Sequence, residues 1–162
     1  MQVRNVQIED LEQLYFLENT GFTPDEAATK NAFLHRIHTI SDTFIVAEEN
    51  GMIIGYINGP VISEPFITDD LFKQTLPNPP KGGHQCILGI VVHPNYQNLG
   101  IASLLLAEME KRSKLHQRLS ITLTCKKELI SFYEKNGYTN QGVASSQHAG
   151  VVWYNMNKGL EV

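Results

Sequence analysis

The sequence predicts a mixed α/β domain. Apolar residues switch repeatedly between helical spacing and short strand-like runs. Asn50-Gly51 stands between two such runs as a hairpin turn. A buried-strand run, Gln85 to Val92, passes through a loop into a helical stretch, Ile101 to Leu115, and then into a second strand run, Leu119 to Thr124. That sequence of elements is a parallel unit, because parallel strands need a crossover between them.

Taken in order, Gln2 to Val6 alternates weakly and reads as a first strand. Ile8 to Asn19 places Ile8, Leu11, Leu14, Tyr15 and Glu18 at helical spacing. Thr23-Pro24-Asp25-Glu26 reads as a helix start, with a capping threonine, a first-turn proline and a glutamate able to close a capping box. The helix it opens carries Ala27, Phe33, Leu34 and Ile37. Thr43 to Glu48 and Met52 to Gly59 are the strands of the hairpin. Pro60 to Gly83 is irregular and proline-rich, with a short helix near Asp69 to Thr75; a stretch this long without a strand is more often functional than filler. After Thr124, Lys126 to Lys135 is a short helix stopped at Asn136-Gly137. Tyr138 to Val143 and Val151 to Met156 form a closing hairpin.

The length of 162 residues suits one domain spanning 1–162. A formal charge of −4 argues against a general nucleic-acid partner, which meets a basic face. With 42% apolar and 19% charged residues the chain is not disordered. Met1 to Gln7 lacks the apolar run of an export signal, and no apolar run approaches the ~20 residues that span a bilayer. A cytoplasmic protein with no membrane partner is therefore expected. Cys86 and Cys125 match no zinc spacing and read as reduced, buried small hydrophobes. His35 and His38 share a helix face without a third ligand, so no metal is expected.

The segment that carries chemistry runs from Val91 to Ala102. A buried strand enters a loop, and the loop opens a helix at Gly100. The first turn of a helix presents unpaired N–H groups and a partial positive charge, on which a phosphate or pyrophosphate can dock. An isolated glycine also simply eases a turn. The Gly-Lys-Ser/Thr ending of a P-loop and the three glycines of a dinucleotide fingerprint are both missing.

Gln97-x-x-Gly100-x-Ala102, after Val92-x-Pro94-x-Tyr96, resembles the acetyl-CoA loop of the GNAT superfamily of N-acetyltransferases. Cys125 to Tyr133, followed by Glu134-Lys135-Asn136-Gly137-Tyr138, is similar to that family's segment ending in Phe-Tyr-Glu-x-x-Gly-Phe/Tyr. The Gly55 to Asn58 run, the long loop before Gly83-His84 and the Cys125 to Glu134 segment resemble the arylalkylamine (serotonin) N-acetyltransferase branch. The resemblance implies a mixed sheet of about six or seven strands flanked by about four helices, splayed between the fourth and fifth strands.

It also implies an enzyme moving an acetyl group from acetyl-CoA to the primary amine of a small molecule, an arylalkylamine being the branch's substrate type, by direct attack. Backbone groups of Ile90, Val91 and Val92 would meet the pantetheine arm. Gln97, Asn98, Leu99, Gly100, Ile101, Ala102 and Ser103 would cradle the pyrophosphate through their N–H groups. Tyr133, which from its spacing alone reads as core beside Phe132, falls on the tyrosine that protonates the leaving thiolate. Lys126, Lys127 and Lys135 cluster near this presumed site. A homodimer through the last strands is common in relatives. A peptide or protein N-acetyltransferase and a non-catalytic acyl-CoA sensor are the alternatives.

The acceptor amine must be neutral to attack, and an alkylamine with a pKa of about 10.4 is almost wholly protonated near neutral pH. The branch takes that proton with two histidines on the fourth strand. Here those positions hold Cys86 and Leu88. His84, on the same strand face as Cys86, is the expected water-mediated base, with Glu18 and His148 as weaker candidates. The acceptor pocket is expected between the Thr20 to Asp25 loop, the Pro60 to Gly83 loop and the last hairpin. Phe22, Pro24, Tyr56 and Phe66 are its candidate apolar surfaces, although each also fits ordinary packing.

Overall fold

The computed structural model describes residues 1–145 and 148–160, without the side chain of His148. Among these residues nine strands form two sheets. The first sheet has the order β1 (Gln2–Asn5), β2 (Phe44–Glu49), β3 (Met52–Asn58) and β6 (Gly89–Val92), all antiparallel. The second has the order β4 (Val61–Ile62), β5 (His84–Ile87), β7 (Ser120–Cys125), β9 (Tyr154–Gly159) and β8 (Thr139–Val143). Only the β5–β7 pair is parallel, as the crossover through α3 (Ile101–Leu115) requires.

The hairpin turn forms as its residues dictate. Asn50 and Gly51 have φ of 49° and 83°, the two left-handed positions of a type I′ turn. Strand β2 is covered on both faces, which explains its unbroken apolar run. Phe44 and Val46 pack with Leu14 and Leu17 of α1 (Leu11–Gly21) and with Phe33 and Ile37 of α2 (Lys30–Thr39). Ile45 and Ala47 join Leu105 and Met109 of α3 in the opposite core, which continues to Ile121, Leu123 and Met156 of the second sheet. Each fully buried Val, Leu, Ile, Phe or Met side chain among these contributes roughly 1.5–3 kcal/mol. Among the described residues no helix is long and apolar enough to cross a membrane.

Three expectations need correction. The helix expected from Thr23 begins at Lys30 instead. The local signal does operate: Thr23 N–H donates to Glu26 Oε1 at 3.0 Å, and Glu26 N–H donates to Thr23 C=O at 2.9 Å. The turn does not propagate, because Ala28 N–H is drawn to Glu18 Oε2 at 2.7 Å. Thr29 then caps the real helix, accepting Ala32 N–H at 3.1 Å. The last strand lies three residues later than its sequence pattern suggests, held by pairing along the whole of β7 from Ser120↔Gly159 to Cys125↔Tyr154.

The third correction positions the site. The expected single strand Gln85 to Val92 is two, β5 and β6, one in each sheet. Cys86 and Leu88 N–H groups donate to Pro60 and Asn58 C=O, each at 2.8 Å. Gly89, not Leu88, is the register partner of Asn58, so two residues stand opposite one. That is a β-bulge. Beyond it the chain leaves β7, and the two sheets splay apart along β6.

The long loop 63–83 is tied down rather than free. Asn78 accepts Val61 N–H at 2.8 Å and donates to Thr43 Oγ1 at 2.9 Å. Thr75 N–H donates to His35 Nε2 at 3.0 Å. Its only helical piece is one 3₁₀ turn, Asp69–Phe72.

Candidate active site

The bulge sets which backbone groups of β6 reach the splay. His93 N–H donates to Ile54 C=O at 2.7 Å, and the register continues through Tyr56↔Val91 and Asn58↔Gly89. Antiparallel pairs alternate between bonded and non-bonded, so Gly89, Val91 and His93 turn their polar groups to β3. Ile90 and Val92 turn theirs to the gap. There Val92 C=O accepts Gln97 Nε2–H at 3.3 Å. The strand edge at Ile90 and Val92 is the open backbone a linear amide-bearing ligand could pair with.

The loop after β6 ends at Gly100, whose φ of 83° is left-handed and favours glycine. Gly100 is the N-cap of the 15-residue helix α3 and supplies no side-chain cap. Its C=O accepts Leu104 N–H at 3.0 Å. The first-turn N–H groups of Ile101, Ala102 and Ser103 precede the first intrahelical bond and point back at the loop. A Cβ built on Gly100 meets no protein atom within 4 Å, so the space before these donors is open.

A cavity of about 560 Å³ joins this cradle to the wedge between the sheets. Tyr133 of α4 (Ile130–Lys135) and Cys125 at the end of β7 form one wall. Tyr133 is 4% exposed and packs edge-on to Phe132 and Tyr138, with ring centroids at 5.1 and 5.8 Å. Burial, reinforced by Cys125, pushes its phenol well above the ordinary value, so it is a proton donor across the neutral range. Burial pushes the Cys125 thiol up to about 11 and raises Cys86 further, which removes both as thiolate nucleophiles.

The opposite wall carries Glu18, 4% exposed on α1. Tyr56 O–H donates to its Oε1, and Ala28 N–H to its Oε2 at 2.7 Å. Glu18 Oε1 lies 3.9 Å from where a Cβ on Gly89 would sit, so the carboxylate faces the bulge itself. Burial and the Glu18 charge hold the Tyr56 phenol protonated, as the donor of that bond. Lys126 forms an ion pair with Glu26, tying the α1–α2 loop to the end of β7, and both residues line the cavity. Burial raises the Glu26 carboxyl, but the bonds from Lys126 and Thr23 N–H outweigh it and hold it below the usual range. Among the described residues no cluster of His, Cys, Asp and Glu could hold a metal ion.

A sequence profile described as "Acetyltransferase (GNAT) family" matches residues 6–138. The chain belongs to the GNAT acetyltransferase family. It is 31% identical over 75 residues to "Uncharacterized N-acetyltransferase ycf52" of Porphyra purpurea, a match that covers 45% of this chain and 40% of that protein. The GphF GNAT-like decarboxylase in complex with isobutyryl-CoA superposes with a TM-score of 0.85 at 18% identity, covering 99% of this chain and 100% of that one. Chaetomium thermophilum Naa20, in complex with a bisubstrate analogue, does so with a TM-score of 0.76 at 25% identity, covering 99% and 87%. The two splayed sheets are thus the GNAT fold.

Within this GNAT fold, Ile90, Val91, Val92, Gln97, Asn98, Gly100, Ile101, Ala102, Ser103, Tyr133 and Phe22 all line the cavity. Other sequence-chosen residues do not. Leu99 is 68% exposed, with its side chain outside the cavity. Val91 lines the cavity with its side chain, but its backbone is spent on Tyr56. His84 lies at the closed end of β5, 2.7 Å from Ser120 Oγ through Nδ1 and paired on both sides, away from the splay. It does not line the cavity. Pro24 and Phe66 are exposed and do not line the cavity, and Tyr56 is buried with its O–H on Glu18. The side chain of His148 lies outside the described residues. Sequence reasoning missed Arg36, Phe72 and Trp153, which also line the cavity. The signal for Arg36 was available: it stands one turn from Phe33 and next to Ile37, on the apolar stripe of α2.

Proposed function

We propose that the protein transfers an acetyl group from acetyl-CoA to the primary amine of a small molecule by direct attack. The observation that carries this reading is the bulge at Leu88–Gly89. It leaves an open strand edge running from the α3 amides to a point between a carboxylate, Glu18, and a phenol, Tyr133.

The chemistry follows from that placement. The pyrophosphate of CoA takes the first-turn amides of α3. The pantetheine arm lies along β6 and pairs with Ile90 and Val92, as an added strand would. The acyl end then reaches the bulge. The amine nitrogen forms a bond to the thioester carbon and the C–S bond breaks. Before attack Glu18 takes the proton of the bound ammonium, directly or through water, and releases it to solvent. As the C–S bond breaks Tyr133 gives its proton to the leaving thiolate, and the second proton, shed by the attacking nitrogen, passes through Glu18 and water to restore Tyr133. A phenol suits this step because its ordinary pKa, about 10, is near that of the thiol it protonates.

The Glu26–Lys126 pair ties two rims of the cavity together and favours a small acceptor over an extended peptide. Phe22, Phe72 and Trp153 offer aromatic surfaces beside Glu18, which suits an arylalkylamine. The test is release of free thiol from acetyl-CoA against a panel of arylalkylamines, aliphatic amines, amino acids and peptides. Turnover with a small amine is expected. Turnover with peptides alone would replace this reading by the peptide one. Acetyl-CoA binding with no thiol release from any acceptor would refute the transfer reading.

A further inference from the structure

Arg36 is 2% exposed and lines the cavity. A guanidinium carries five N–H donors. Here Nη1 donates to Asn58 Oδ1 at 3.3 Å and Nη2 to Phe72 C=O at 2.9 Å. Both acceptors are neutral oxygens. The Nε–H has no partner among the described residues, and neither has Nδ2 of the adjoining Asn58. The guanidinium carbon stacks 5.5 Å from the Phe33 ring centroid, which fixes the fork in place. The negative charge that acts on Arg36 is that of Glu18, whose two oxygens already accept Tyr56 O–H and Ala28 N–H.

Glu18 offsets part of the charge, but a buried guanidinium with a donor unspent still carries a cost that an anion bonded to that donor would remove. An arginine needed only to hold the Phe72 turn and Asn58 would spend two donors and leave three. Resting on the acetyl-transfer reading above, we infer that Arg36 binds a carboxylate of the acceptor, so that the amine acetylated is that of a free amino acid or a similar amino-carboxylate.

The donor geometry fits the ligand. Nε–H and a neighbouring Nη–H form the planar fork that accepts a carboxylate through two parallel bonds. The Phe72 carbonyl caps the guanidinium, and an incoming carboxylate replaces that neutral acceptor with a charged one. At the other end Glu18 faces the amine. A zwitterion thus meets a carboxylate and a guanidinium in the order of its own charges.

The experiment is calorimetric titration of the full chain, saturated with CoA, with matched pairs: phenylalanine against phenethylamine, tryptophan against tryptamine, and leucine against 3-methylbutylamine. At least one amino acid is expected to bind tenfold or more tightly than its partner amine, and Arg36→Gln should erase that advantage while leaving CoA affinity unchanged. Equal binding within every pair, binding of no amino acid at all, or an advantage that survives Arg36→Gln would overturn the assignment. Should the variant not fold, the methyl esters decide on the wild type: an ester that binds as tightly as its acid overturns it. The readout is binding, so it stands apart from the thiol-release result that judges the transfer reading.

Discussion

Replacing Gly100 by alanine separates strain from ligand binding, because the structure sets the two effects apart. At φ of 83° an L-residue is left-handed, which costs roughly 1–2 kcal/mol. The new Cβ meets no protein atom within 4 Å, so no clash adds to that strain. For a chain of this size each kcal/mol lowers Tm by about 2–4 °C, giving a fall of about 2–8 °C by calorimetry. The same Cβ projects into the open space before the α3 amides, where the pyrophosphate would sit. Losing one hydrogen bond to a charged group costs about 1.5–3 kcal/mol, which corresponds to roughly a tenfold to over a hundredfold rise in Kd for CoA. Isothermal titration measures that Kd directly. A variant whose Tm falls while its CoA affinity stays within twofold of wild type would refute the anion cradle at Gly100.

Other perturbations test the remaining parts. Tyr133→Phe removes only a hydroxyl from a buried ring and should cut kcat by roughly a hundredfold or more with acetyl-CoA affinity unchanged; an unaltered kcat would exclude the acid role. Glu18→Gln keeps an acceptor for Ala28 N–H but loses the charge, so kcat should fall by about two orders of magnitude with CoA affinity unchanged. Asp10, 5% exposed, accepts Arg4 Nη1–H and Nη2–H at 2.8 and 2.9 Å and Gln7 N–H at 2.8 Å. Burial alone would raise its carboxyl, but those bonds outweigh it and hold it below the usual range. Its contribution is therefore complete above the unfolded pKa of about 3.9 and is lost as pH falls through the lower folded value. Asp10→Asn should cost about 2 kcal/mol at neutral pH, since Arg4 keeps Glu48 as a partner at 2.7 Å. Urea titrations between pH 2 and pH 6 should show the difference from wild type shrinking at the acid end.

What could be read without coordinates was what short-range chemistry decides. Asn50-Gly51 demands its turn, Gly137 takes φ of 91° just after α4, and α3 runs from Ile101 to Leu115 as its periodicity requires. The cradle at Gln97 to Ser103 was visible because a strand, a loop and a helix-opening glycine follow one another directly. The split of Gln85 to Val92 was not, since both halves are equally apolar and differ only in which neighbour they pair with; Gly89 inside the run was the sole hint. The helix start at Thr23 was locally correct and lost to a bond from Glu18, ten residues away in sequence from Ala28. His84 shares a strand face with Cys86, yet the splay opens only beyond Leu88. Glu18 and Arg36 were the polar members of apolar stripes, and such misfits carry more information about a site than the stripes themselves.

The extra residue at Leu88–Gly89 works as a half-step in the phase of the chain. Upstream, even-numbered Cys86 and Leu88 point their amides at Pro60 and Asn58; downstream, odd-numbered residues point theirs at β3. Deleting a single residue there would restore an even beat and swing Ile90 and Val92 inward. Homologous chains that tolerate insertions and deletions in their loops should therefore keep the spacing from this kink to Gly100 constant, because on the proposed reading it would measure out how far a bound arm stretches before its anionic end meets the helix.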